Sequence, residues 1–158
     1  MKTFTSPTQK IGELGEDIAC RWLEKKGYKV TDRNYTKKWG EIDIVAEKGG
    51  VTHFIEVKAS KRSLDKNFPP AAAKALSGKH ETHNLKAESQ KLKPNYNPAE
   101  NMHPWKIKRF VRAVETYLLS SKGQKINNSA GGWQIDLLVV YLDLDKKFAR
   151  CEIFERVI

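Results

Sequence analysis

With 158 residues the chain is long enough for one domain that buries roughly 70% of its extended-chain surface without covalent staples, and its 39% hydrophobic residues, with 4 Trp, 5 Tyr and 6 Phe, exclude a disordered polymer. Two cysteines, Cys20 and Cys151, exclude a disulfide framework, and no signal-like or membrane-spanning apolar run occurs, the longest being 135–142; a reducing, cytoplasmic setting is expected. Lys and Arg number 29 against 19 Asp and Glu, a net +10, and residues 56–112 hold 13 basic and 5 acidic residues, or +8 of that charge. Such a concentration selects polyanions, nucleic acid before an anionic membrane surface, with a solvated lysine-rich face as the plain alternative.

Ser6-Pro7-Thr8-Gln9 reads as the start of a helix, with Ser at the N-cap, Pro at N1 and Gln completing a capping box. Ile11, Leu14, Ile18 and Trp22 then form a core-facing stripe, and Gly27 ends the helix. Beside that stripe, Gly12, Gly15 and Ala19 surround Glu16 and leave room for close approach of another element. Residues 28–35 form a partly exposed strand, followed by a polar turn through Lys37, Lys38 and Gly40.

The segments 41–46 and 51–58 both alternate and are joined by Gly49-Gly50, a dipeptide suited to a type I′ hairpin. With that turn, Ile44 faces Ile55, Ile42 faces Val57 and Val45 faces Phe54; Asp43 then falls opposite Glu56 and Glu41 opposite Lys58, on the face of Val45 and Phe54. Opposed carboxylates about 5 Å apart repel by roughly 3 kcal/mol at an effective dielectric near 20. A shared proton relieves this, and so does a divalent cation such as Mg²⁺, which takes one or two carboxylates and keeps room for substrate phosphate oxygens. An acidic pair beside a basic surface suits phosphodiester hydrolysis. Lys58 is placed to orient an attacking water or to stabilise charge on the phosphate; the plain reading is an ion pair with Glu41, and for the acids a solvated polar face.

From Ser60 to about Met102 the periodicity dissolves into a Lys-, Asn-, Pro- and Ala-rich insertion, expected to be mobile, with short helical stretches at 71–76 and 85–92. A second helix begins near Pro104, its apolar stripe formed by Ile107, Phe110, Val111, Val114, Tyr117 and Leu118, with Lys106, Lys108, Arg109 and Arg112 off it. Residues 133–142 read as a strand covered on both faces, and 148–154 as its hairpin partner. The order is α-β-β-β-α-β-β, an α/β layer arrangement without internal repeats or a domain boundary.

Gly15-Glu16, Gly40-Glu41-Ile42-Asp43-Ile44-Val45 and Ile55-Glu56-Val57-Lys58, taken in order, resemble the YraN family of the PD-(D/E)XK nuclease superfamily, and Pro98-Ala99-Glu100, Lys106 and Trp133-Gln134-Ile135-Asp136 continue the likeness. Archaeal Holliday-junction resolvases are similar at the core positions. The resemblance implies one nuclease-like domain over 1–158 with a basic insertion at about 60–95, and a restriction-endonuclease-like mixed central sheet flanked by helices. It implies Asp43, Glu56 and Lys58 as the catalytic set, and Asp43, Glu56, Glu16 and the Val57 carbonyl as ligands of Mg²⁺, for which Mn²⁺ can substitute. The expected activity is a metal-dependent DNA endonuclease acting on branched or structured DNA; the alternative is a catalytically silent nucleic-acid-binding protein. Lys61, Arg62, Lys106, Lys108, Arg109 and Arg112 are the expected nucleic-acid contacts. DNA is the expected partner, with a second copy of the chain also considered and no membrane.

Weaker signals remain. His80 and His83 are spaced for zinc but lack further ligands and read as surface loop. His53 falls on the apolar side of its strand and reads as a packed core histidine. Asp136 interrupts a buried strand and is expected to bond the basic helix. Trp105 and Tyr96 are either base-stacking or packing residues, and Cys20 is expected to be structural.

Overall fold

A computed structural model describes residues 6–61, 102–127 and 130–158. Helix α1 (Pro7–Lys25) opens on the expected capping box: Ser6 Oγ accepts the Gln9 N–H and Gln9 Oε1 accepts the Ser6 N–H, both at 3.2 Å. It closes at Gly27, whose φ of +83° lets the Tyr28 N–H turn back to the Leu23 carbonyl. The buried face differs from the expected stripe. It consists of Gly15, Ile18, Ala19, Cys20 and Leu23, while Leu14 is 41% exposed. The small residues decide this, because a Cβ on Gly15 would lie 2.5 Å from the Ala59 Cβ, so α1 turns its glycine side onto the sheet and rides close to it.

Strands β1 (Lys29–Lys37), β2 (Gly40–Lys48), β3 (Val51–Lys61), β4 (Trp133–Asp143) and β5 (Phe148–Phe154) form one sheet in that spatial order. Neighbours are antiparallel except β3 and β4, which are parallel from Thr52↔Trp133 to Lys61↔Leu142. A parallel pair needs a crossover connection, and that connection contains α2 (Pro104–Leu119) and the four-residue α3 (Gln124–Asn127), the latter unforeseen in the sequence. The β3 strand continues past Lys58 through Ser60 to Lys61. The helical stretches expected at 71–76 and 85–92, the His80/His83 pair, Arg62 and Tyr96 lie outside the described residues.

The sheet is covered on both faces. Ile18, Ala19 and Leu23 of α1 pack with Ile44, Ile55, Leu138 and Val140; Phe110, Val114 and Tyr117 of α2 pack with Ile42, Val45, Phe54 and Ile135. That double cover explains the near-continuous apolar run of β4. The result is the expected α/β architecture, a restriction-endonuclease-like mixed sheet between helices. No described helix is long and apolar enough to cross a membrane.

Candidate active site

Gly49 (φ +58°) and Gly50 (φ +78°) both take left-handed conformations, as a type I′ turn requires. From that turn β2 and β3 pair as anticipated, Lys48↔Val51 through Val45↔Phe54 to Ile44↔Ile55, and there the ladder stops. The further pairs expected from the register, with Asp43 directly opposite Glu56 and Glu41 opposite Lys58, do not form. Asp43 Oδ2 instead accepts the Val57 N–H at 2.7 Å, so a side chain supplies the acceptor a neighbouring strand's carbonyl would otherwise offer.

The phase of β2 changes at the same point. Pairing with β1 steps from Arg33↔Ile44 to Tyr35↔Ile42, passing over Asn34 and Asp43, and Asn34 has φ +52°. As a result Ile44 packs under α1 while Ile42 packs under α2, and in β1 Arg33 bonds Asp17 of α1 while Tyr35 meets Tyr117 of α2. The four charged residues therefore do not share the face of Val45 and Phe54. Asp43 lines an open cleft of about 690 Å³ against α1, together with Gln9, Gly12, Glu13, Glu16, Asn34, Thr36 and Glu41. Glu56 lines a cavity of about 200 Å³ on the α2 side, with Glu41, Trp105, Lys106, Arg109 and Phe110. Glu41 borders both.

Electrostatics tie the two sides together. The Asp43 carboxyl is pushed up to about 8, first by burial and then by the charge of Glu56, with the Val57 N–H working the other way. Glu56, 3% exposed, is also raised by burial, although the ammonium groups of Lys106 and Lys58 oppose the shift. Glu16 is raised by burial against a hydrogen bond from Asn34. Lys106 reaches from the first turn of α2 and pairs with Glu56 Oε1; burial is the largest influence and lowers its proton affinity, but the charge and hydrogen bond of Glu56 together with the charges of Asp43 and Glu41 leave it raised. Two mutually repelling carboxylates, Glu56 buried and Asp43 half-buried, hold either a proton or a cation. Among the described residues no group of three or more His, Cys, Asp and Glu is gathered as a metal cage. Asp43 and Glu56 offer carboxylate oxygens, hard atoms of the kind and number Mg²⁺ usually takes from a protein while keeping its waters, a chemistry suited to that ion and not to structural zinc.

The other singled-out residues divide. Lys58 is exposed on β3 and its charge acts on Glu56; Val57 supplies its N–H to Asp43. Lys106, expected as a nucleic-acid contact, is Glu56's partner. Lys61, Lys108, Arg109 and Arg112 are exposed. His53 is a buried core residue, as expected, with Nδ1 2.6 Å from Asp136 Oδ2 and its ring against Tyr28. Asp136 does not bond the basic helix; its other oxygen accepts from Gln134 Nε2 and the Arg156 N–H, both at 2.9 Å, so it joins β3 and β4 to the segment after β5. Cys20 is buried in the α1 core. Sequence reasoning missed the Lys106 contact and the turning point at Asn34. The second had a signal, since asparagine is the commonest non-glycine residue with positive φ.

A profile of the uncharacterised protein family UPF0102 matches residues 15–140, a span that takes in Glu16, Asp43, Glu56, Lys58 and Lys106. A UPF0102 protein of Campylobacter lari is 30% identical over 133 residues, 84% of this chain and 85% of the relative. One from Wolinella succinogenes is 31% identical over 111 residues, 70% and 72% of the two chains. One from Alkaliphilus metalliredigens is 48% identical over 62 residues, 39% of this chain and 54% of the relative.

Proposed function

The chain belongs to the uncharacterised protein family UPF0102, the YraN-like family, and from that premise we propose that it is a metal-dependent nuclease that hydrolyses phosphodiester bonds in DNA, with branched or structured DNA as the preferred class. Membership is consistent with the PD-(D/E)XK superfamily and accounts for the nuclease-like fold. The observation that carries the reading is the parting of β2 and β3 at Asp43 and Glu56, which leaves a half-buried and a buried carboxylate beside two adjoining clefts, with Lys58 and Lys106 bearing on Glu56.

Asp43 and Glu56 are the residues that would hold Mg²⁺ or Mn²⁺, with Glu16 on the wall of the same cleft as Asp43. Such an ion, when bound, supplies a Lewis acid for a phosphoryl oxygen and lowers the pKa of water. The chain's own parts do the rest. The Val57 N–H fixes the Asp43 carboxylate against rotation, and Lys106 holds Glu56 from the opposite layer. Lys58, two residues along β3 from Glu56, provides the ammonium that orients the attacking water or meets charge developing on the phosphate. The exposed cations of α2 draw the substrate backbone to the site.

Purified protein with Mg²⁺ or Mn²⁺ is expected to nick or cut a panel of duplex, single-stranded and branched DNAs, and Asp43→Ala or Lys58→Ala to reduce cutting at least 10²-fold with unchanged circular dichroism. Cutting that survives both substitutions overturns the assignment. A second reading, a binding protein without turnover, draws on the Lys106–Glu56 pair, in which an internal cation already engages one carboxylate; DNA binding by wild-type protein that cuts none of the panel would select it.

A further inference from the structure

Helix α2 carries a largely exposed row that the core does not use and that makes no ion pair with either carboxylate. Trp105, Arg109, Arg112 and Thr116 follow at i, i+4, i+7 and i+11, one stripe of the helix running about 16 Å. The Arg109 guanidinium lies 5.8 Å from the Trp105 ring centre, and that of Arg112 lies 5.6 Å from the ring centre of Trp39. Trp39 is fastened to the far end of the row by its indole N–H, which donates to Thr116 Oγ1 at 3.0 Å. The result is a row with a ring at each end and two guanidinium groups between them: Trp105, Arg109, Arg112, Trp39. Trp105 is 56% exposed and Trp39 36%. Packing alone does not account for two tryptophans left so open, each with an arginine over its ring.

The row starts at the site, because Trp105 and Arg109 line the same small cavity as Glu41 and Glu56. Its charge is one-sided: Lys106, Lys108, Arg109 and Arg112 all precede the first acid of α2, Glu115. The matching ligand is therefore polyanionic and presents flat faces. Double-stranded DNA meets the first condition only, since its bases are stacked on one another; an unpaired strand meets both, its bases stacking on indoles and its phosphates meeting guanidinium groups. We propose that the Trp105–Arg109–Arg112–Trp39 row is a stacking platform for unpaired DNA nucleotides adjoining the cleavage site, so that the substrate class is DNA with a single-stranded segment beside the scissile bond. This rests on the nuclease reading for its location and not for its chemistry.

The test measures binding in EDTA, by fluorescence anisotropy of a labelled mixed-sequence single strand and of a blunt duplex of the same sequence and length, near 0.15 M salt. Wild-type protein is expected to prefer the single strand. Trp105→Ala should weaken single-strand binding roughly tenfold and duplex binding less than about twofold, and Trp105→Phe, which keeps a ring, should restore most of the loss. Arg109→Gln, at another exposed position, should show the same split and decides the matter should Trp105→Ala misfold. No preference for the single strand, or equal loss on both probes, overturns the platform. Because no divalent ion is present, absence of cutting leaves this result standing, and loss of the platform leaves the cleavage reading to its own test.

Discussion

Asp43 serves two ends with one carboxylate: it is the acceptor that closes off the sheet and the acid on which the charge of Glu56 bears. Asparagine in its place keeps an oxygen for the Val57 N–H and removes one of two repelling charges. The sign of the pH effect follows from the shift. The folded protein holds a proton on Asp43 up to about 8, whereas an unfolded chain releases it near 3.9. The group's contribution to stability is thus intact below the unfolded value and lost as pH climbs through the folded one. Asp43→Asn should therefore match wild type near pH 4 and melt a few degrees higher at pH 9, about 1 to 2 kcal/mol, in thermal denaturation with EDTA. Equal melting temperatures at pH 9 would show that neither burial nor the charge of Glu56 penalises the ionised Asp43 carboxylate. The same variant should not cut DNA.

Elements defined by neighbouring residues were legible in the sequence: the capping box at Ser6, the Gly27 terminus and the Gly49-Gly50 turn each depend on two to four adjacent residues, and all formed as read. What contacts from afar decide was not. The buried side of α1 is set by Gly15 meeting Ala59, forty-odd positions away, and an apolar count along the helix favoured Leu14 instead. The charges of Glu16, Asp43, Glu56 and Lys58 do act on one another, but the common face expected for the charged strand residues does not form, because the alternation that the reading extrapolated reverses at the left-handed Asn34. Lys106 reaches Glu56 only through the docking of α2, so its charge alone suggested a phosphate contact; α3 is too short for periodicity to register. Gly15→Ala tests the close approach. Helix propensity favours alanine by about 1 kcal/mol, yet the new methyl collides with Ala59 and should cost about 1 to 3 kcal/mol. Chemical denaturation should show a net loss or no gain, and Ala59→Gly in the same chain should turn it into a gain.

Across the whole molecule the charge is uneven in a way that serves the site. The cations on α2 stand on the layer that carries Lys106, while α1 presents Glu13 and Glu16 to the cleft of Asp43. A polyanion is therefore drawn to one layer and repelled by the other, which orients it over the seam where Glu41 borders both cavities. If about six phosphates are neutralised, the logarithm of duplex affinity should fall against the logarithm of salt with a slope near −5; a flat salt dependence would remove nucleic acid as the partner.

The bond from the Val57 amide to Asp43 has one more implication. Were β2 and β3 to zip a single step further, a main-chain carbonyl would compete for that amide, and the acid would be freed to swing away from its partner. The sheet must stay unfinished at this end for the two acids to keep their positions, so mutations that lengthen the hairpin, however favourable to folding, work against whatever chemistry occurs there.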